Sequence, residues 1–61
     1  MVKTGSKWWA GEGNVFQVID VVEIDDHTWV YYRNTKPFND EYKEYSCYIE
    51  SFLQRFRQLP E

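Results

Sequence analysis

The sequence predicts a mainly β protein, a small and partly open barrel of four to five antiparallel strands with a short C-terminal helix. Residues 14–24 are rich in β-branched side chains and carry no helix caps, which is typical of a strand. Turn-forming residues at 11–14 and 25–26 separate this run from its neighbours. The apolar spacing changes to a helical period only after Ile49. A chain of 61 residues leaves room for one domain of this kind.

The sequence of the first half of the chain predicts two strands of unequal length. In order, it contains a flexible N-terminus at 1–7, a short strand at 7–10, a turn at 11–14 and a long strand at 14–24. The polar residues Gln17, Asp20 and Glu23 of the long strand are spaced by three, whereas strict alternation requires a spacing of two. A β-bulge or strong bend near Asp20 restores the alternation and suits a small barrel.

The second half predicts a hairpin, a loop, a third long strand and a closing helix. In order, these are a tight turn at 25–26, a strand at 27–34, a loop at 34–42, a strand at 43–49 and a helix at 50–57. The helix follows from the spacing of Phe52, Leu53, Phe56 and Leu59, which also predicts that Phe52 and Phe56 are buried. The single domain is therefore expected at 8–58, followed by a tail at 59–61.

Composition and charge disfavour several classes of function. Seven basic and ten acidic residues give a net charge of −3, so the cationic surface typical of nucleic-acid binding is not expected. No apolar run is long enough to span a membrane, and residues 1–5 lack the apolar stretch of a secretory signal. The single cysteine, Cys47, allows no internal disulfide and favours a reducing compartment. We therefore expect a soluble, cytoplasmic protein without membrane contact.

Three short segments form a pattern that covers residues 8–57. The first segment contains Phe16 and Val18, and the second contains Val30, Tyr32 and Arg33. The third, a closing turn, contains Phe52 and Phe56. This pattern resembles small SH3-like β-barrel proteins of tailed phages and a related bacterial family of unknown function. The resemblance implies an SH3-like barrel and a phage accessory protein that modulates a host factor in the host cytoplasm. The chain departs from it at 45–48, where Tyr-Ser-Cys-Tyr replaces an Arg-Pro pair, so no role of that pair is transferred.

No group of residues has the composition of a catalytic or metal site. His27 stands beside Asp25 and Asp26, but a solvated turn histidine is the favoured interpretation because structural zinc takes four protein ligands, mostly nitrogen and sulfur. Alternation along its strand places Cys47 on the core side, where a thiol behaves as a small apolar group. We therefore expect neither enzymatic activity nor a cofactor.

Alternation also predicts an aromatic surface on the face opposite to the core. If Val30 and Tyr32 point inward, their neighbours point outward, and the adjacent strand adds a second outward row. The predicted partner-binding residues are Trp29, Tyr31, Arg33, Glu44 and Tyr48, with Trp9 or Trp8 at the rim. Four aromatic residues decide whether this surface is open or covered: Trp8, Trp9, Phe38 and Tyr42.

Three classes of partner remain open from the sequence alone. The preferred one is a protein, for which the acidic loop at Asp40 and Glu41 favours a basic partner such as a host nucleic-acid enzyme. The first alternative is single-stranded nucleic acid, whose bases would stack on the same rings. The second is a homodimer with a structural role, formed by pairing of an exposed edge strand with its copy.

Overall fold

The computed structural model describes residues 2–11, 13–36 and 41–59 of the chain. These residues form five strands and one helix. They are β1 (Lys7–Trp9), β2 (Val15–Ile24), β3 (His27–Asn34), β4 (Glu44–Tyr48), α1 (Ile49–Arg55) and β5 (Arg57–Gln58). Part of the predicted loop, residues 37–40, lies outside the described residues.

The strands form one antiparallel sheet in the order β4-β3-β2-β1-β5. The first four strands are a meander, and α1 returns the chain so that β5 pairs with β1. This arrangement confirms the predicted fold class, a mainly β protein with a short C-terminal helix. It is consistent with a small, partly open barrel, and it leaves β4 and β5 as the edges of the described sheet.

The β2–β3 hairpin and its bulge follow from local sequence. Asp25 and Asp26 connect the strands with positive φ angles of 50° and 65°, a two-residue turn whose twist matches that of the flanking strands. The pairing of β2 with β3 shifts between Val18 and Asp20, which leaves Ile19 as an extra residue. The predicted bulge near Asp20 is thereby confirmed, and it keeps the Asp20 carboxylate off the core face.

The core lies on one face of the sheet, beneath α1. Phe52 is fully buried, and its ring centroid lies 5.0 Å from that of Trp8, 5.3 Å from that of Tyr32 and 4.5 Å from that of Phe56. Rings at these separations interact favourably beyond their area burial. The buried core consists of Val2, Trp8, Val18, Val30, Tyr32, Phe52 and Phe56.

The C-terminal segment differs in its bounds from the predicted helix at 50–57. The N–H of Phe56 donates to the carbonyl of Phe52 over 3.0 Å, and Phe56 then adopts an extended φ of −122°. The chain can therefore continue as β5 instead of a further helical turn. Leu53 is 52% exposed, so the prediction that it belongs to the apolar stripe of the helix was wrong. The N–H of Leu59 donates to the carbonyl of Lys7 over 3.1 Å, so pairing extends into the expected tail at 59–61.

The N-terminal segment is attached to the sheet, in contrast to the flexible stretch expected at 1–7. Val2 is buried in the core. The N–H of Gly5 donates to the carbonyl of Val18 over 2.7 Å, and the N–H of Val18 donates to the carbonyl of Ser6 over 2.9 Å. The hydroxyl of Ser6 also accepts the buried indole N–H of Trp8 over 2.9 Å. Gly5 adopts a φ of 90°, which lets the segment turn back along β2.

Candidate functional site

The register of the sheet divides its side chains between two faces. Val30 and Tyr32 of β3 are buried on the core face, so the alternate residues Trp29, Tyr31 and Arg33 point to the other face. In β4, Tyr48 pairs with Trp29, Ser46 with Tyr31, and Glu44 with Arg33. Paired residues share a face, so these six side chains form two adjacent rows on the outer face. The register of β3 and β4 therefore produces the outward orientation that the sequence predicts for these side chains.

Four rings come together at the hairpin end of this outer face. The ring of Tyr48 packs against those of His27 and Trp29, with centroid separations of 4.9 Å and 4.4 Å and tilts of 36° and 46°. Tyr48 is 41% exposed, whereas Trp29 and Tyr31 are half-buried. We call His27, Trp29, Tyr31 and Tyr48 the outer aromatic patch. The patch is accessible in the described part of the protein.

A shallow concavity of about 390 Å³ opens at the outer aromatic patch. Asp25 is the acidic residue in its lining, and no lysine or arginine contributes to the described lining. Its walls consist of Ile24, Asp25, His27, Trp29, Tyr31, Ser46 and Tyr48. The concavity thus combines apolar and aromatic surfaces with one carboxylate.

Arg33 and Glu44 lie at the other end of the two rows, beyond Tyr31 and Ser46. They are directly opposite each other in the register, a favourable arrangement of opposite charges. The guanidinium carbon of Arg33 also lies 5.2 Å from the ring centroid of Tyr42, within range of a cation–π contact. Tyr42 thus lies beside Arg33, and it is absent from the lining of the concavity.

The two N-terminal tryptophans have different positions, and neither borders the outer aromatic patch. Trp8 is 4% exposed and belongs to the core, whereas Trp9 is 40% exposed. Trp9 pairs with Val15 of β2, whereas Trp29 pairs with Val22, so the two residues lie about 20 Å apart along the strand direction. The predicted rim position of Trp8 was therefore wrong, whereas the partner-binding role of Trp9 stays a prediction. Phe38, the remaining undecided ring, lies outside the described residues.

The sequence interpretation missed Ile24, Asp25 and His27 as parts of this surface. His27 was interpreted as a solvated turn residue without a role, although it was also predicted as the first residue of β3, two positions before Trp29. That spacing of two was the available signal, because residues two apart in a strand share a face. Ile24 and His27 pair across the hairpin, which brings them to the same end of the sheet.

A second concavity, of about 280 Å³, opens on the core side between the sheet and α1. The rings of Phe16, Tyr32, Tyr45 and Phe56 line it, and Arg55 lies at its edge. Tyr45 stacks on Tyr32 with a centroid separation of 5.5 Å, although Tyr45 remains 43% exposed. This concavity is the open end of the core, where the short sheet fails to cover the rings completely.

Cys47 and Tyr32 are held in their protonated forms beside this open end. Burial raises the pKa of the Cys47 thiol above its ordinary value of 9.0, and the Arg55 charge opposes this in part. Burial likewise raises the pKa of the Tyr32 hydroxyl above 10.0, and the neighbouring Cys47 adds to the effect. A raised pKa reduces the thiolate fraction, so the environment of Cys47 is the opposite of that around a nucleophilic cysteine.

We expect the stability of the protein to fall as the pH rises above about 9. Both groups have higher pKa values in the folded than in the unfolded protein, so their contribution is complete below the unfolded values of 9.0 and 10.0. This contribution is lost as the pH rises from the unfolded pKa values through the folded ones, because over that range the unfolded state releases its protons more readily than the folded state. Urea midpoints at pH 7.5 and pH 10 measure this loss. Cys47→Ala should show a smaller fall, and an equal fall would contradict the contribution of the thiol.

The described residues contain no group of three or more histidine, cysteine, aspartate or glutamate side chains arranged to hold a metal ion. In the same part of the chain, no helix has the length and apolarity needed to span a membrane. Comparison with protein-family models, curated proteins and solved structures finds no match to this chain.

Proposed function

We propose that the protein is a non-catalytic protein-binding module whose contact surface is the outer aromatic patch. The observation that carries this proposal is the exposed cluster around Tyr48, which stands on the face opposite to the core. Tyrosine and tryptophan are enriched among the residues that dominate the energy of protein interfaces. Large rings that the core does not use are therefore best explained by a partner that covers them.

A protein interface of standard size would cover a substantial share of this small protein's surface. A standard interface buries about 800 Å² on each side, which is about a sixth of the 4815 Å² surface of the described protein. The outer aromatic patch supplies the apolar centre of such an interface. Arg33 and Glu44 lie at its edge, where charged pairs contribute more to orientation and specificity than to affinity.

Nucleic acid is a less suitable partner for this surface. Stacking of bases requires a cationic groove beside the rings, yet the described lining of the outer concavity holds Asp25 and neither lysine nor arginine. In the register, Lys7 and Arg57 share the outer face with Arg33, but they lie toward its other end, away from the patch. Arg55 lies beside the core-side concavity and cannot join them.

Alanine substitution within the patch is expected to abolish partner capture. Trp29→Ala and Tyr48→Ala each remove a ring from the centre of the contact, and each should weaken binding by about 2 kcal/mol or more, roughly thirtyfold. Affinity capture with immobilised variants, followed by titration of the captured protein, measures the loss. Trp9→Ala is the matched control, since Trp9 is similarly exposed but lies at the other end of the sheet.

The folded state of each variant is checked by near-UV circular dichroism and by its urea midpoint. Tyr48→Ala is the more informative variant, because Tyr48 is the more exposed of the two rings and contributes less to packing. Equal capture by the wild-type protein and by folded Tyr48→Ala, with loss only in Trp9→Ala, would contradict the proposed surface.

A further inference from the structure

We propose that the concavity of the outer aromatic patch receives a cationic side chain, lysine or arginine, from the partner. This inference rests on the proposed protein-binding function and names the chemistry of the group that the surface recognises. Two properties of the site carry it: the arrangement of the rings around Tyr48 and the sign of the charges around the concavity.

The rings are placed so that one cation contacts more than one of them. A cation is attracted to a ring when it lies within about 6 Å of the ring centroid. The centroid of Tyr48 lies 4.4 Å from that of Trp29 and 4.9 Å from that of His27. Trp29, Tyr31 and Tyr48 are ring types that attract cations, and all three line the same concavity. A cation seated there would therefore lie beside several aromatic rings.

The charges around the concavity favour a cation over an anion. Asp25 is part of the lining. Asp20 pairs with Tyr31 on the adjacent strand, and its carboxylate is fixed because it accepts the N–H of Val21 over 2.9 Å. Each carboxylate attracts a positive group, although solvent exposure limits each contribution.

The nearest positive group on this face does not cancel that preference. Arg33 lies two residues beyond Tyr31, where Glu44 is its direct register partner and the Tyr42 ring lies 5.2 Å from its guanidinium carbon. Its charge is therefore partly balanced by neighbours outside the concavity. The whole chain carries a net charge of −3, which also favours approach of a positively charged partner.

The size of the concavity suits a side chain rather than a folded element. Its volume of about 390 Å³ lies near the lower end of the range for ligand sites, about 300–1,000 Å³. A long unbranched side chain can enter such a space while its backbone remains outside. The aliphatic stem of lysine or arginine would then cover Ile24, which is 45% exposed at the edge.

Three short peptides test the inference directly. The probes are acetyl-Gly-Ser-Arg-Ser-Gly-amide, the same peptide with lysine at its centre, and the same peptide with citrulline, which is neutral and nearly the same shape as arginine. Each is titrated into the 15N-labelled full chain, and two-dimensional amide spectra follow the indole N–H of Trp29 and the amides of His27 and Tyr48. We expect saturable shifts at these positions at millimolar arginine or lysine peptide, and at least fivefold weaker binding of the citrulline peptide.

Two substitutions in the turn provide a matched pair. Asp25→Asn removes the carboxylate that lines the concavity, and asparagine tolerates the positive φ at this position. We expect it to weaken binding of the arginine peptide about two- to fivefold, as for the loss of an exposed ion pair. Asp26→Asn removes the same charge from the adjacent residue, which does not line the concavity, and should change binding less than twofold.

The outcomes separate this inference from the proposed function. Equal binding of the citrulline and arginine peptides, shifts located away from the outer aromatic patch, or no saturation at 20 mM would overturn the cationic ligand. If any of these occurs while Tyr48→Ala still loses its partner, the binding surface stands and only the ligand chemistry is wrong. If the peptide binds as expected while partner capture is unaffected by Tyr48→Ala, the proposed function is wrong instead.

Discussion

Phe52→Ala is expected to unfold most of the protein at 25 °C. Phe52 has no exposed surface, and its ring contacts those of Trp8, Tyr32 and Phe56. Truncation of a buried phenylalanine costs about 3–5 kcal/mol, whereas a core of this size supplies about 3–5 kcal/mol of net stability in total. Near-UV circular dichroism and urea titration measure the effect.

Leu53→Ala is the matched control for Phe52→Ala. It removes a large apolar side chain from the same helix, but Leu53 is 52% exposed and faces solvent. We expect a change of about 0.5 kcal/mol or less, as for most surface substitutions. Similar urea midpoints for the two variants would show that α1 does not pack on the sheet through Phe52.

Removal of residues 1–6 is expected to destabilise the protein by about 3 kcal/mol or more. The deletion exposes the space filled by Val2, whose burial contributes about 1.5–3 kcal/mol. It also removes two backbone hydrogen bonds to Val18, at about 1 kcal/mol each, and the hydroxyl of Ser6 that accepts the Trp8 indole N–H. The entropy regained by a shorter chain offsets part of this loss.

Urea titration of the truncated and full chains measures the difference. The control is the double substitution Lys3→Ala and Thr4→Ala, which changes two exposed side chains in the same segment and keeps its backbone contacts. A truncated chain with the urea midpoint of the full chain would indicate that the segment is only loosely associated with β2. A destabilised double variant would show that side chains at the surface matter instead.

The long strands could be predicted from sequence because their patterns are strong and local. β3 was predicted with its observed bounds, His27–Asn34, since an alternating aromatic and β-branched run follows a two-residue acidic turn. The bulge near Asp20 was predicted for the same reason: a carboxylate falls out of phase with the apolar residues. The predicted patch residues Trp29, Tyr31 and Tyr48 followed from the parity of these strands.

The short segments could not be predicted, because their conformation depends on contacts distant in sequence. β5 contains two residues, Arg57 and Gln58, too few for any alternation to be visible. Val2 carries no signal for burial, since its partners are provided by β2 and the core. Trp8 and Trp9 are adjacent and identical, so only the pairing of β1 with Phe16 and Val15 determines which ring is buried.

The extra residue Ile19 determines where β2 can change in length during evolution. A chain that lost the codon for Ile19 would keep the pairs of Val18 with Tyr32 and of Asp20 with Tyr31, and would lose only the local twist of the bulge. If the Val22 codon were lost instead, and β2 and β3 paired from the hairpin without a bulge, Asp20 would lie opposite Val30. Val30 has no exposed surface. A buried carboxylate without a partner is strongly destabilising. Natural single-residue deletions in β2 should therefore be confined to the bulge.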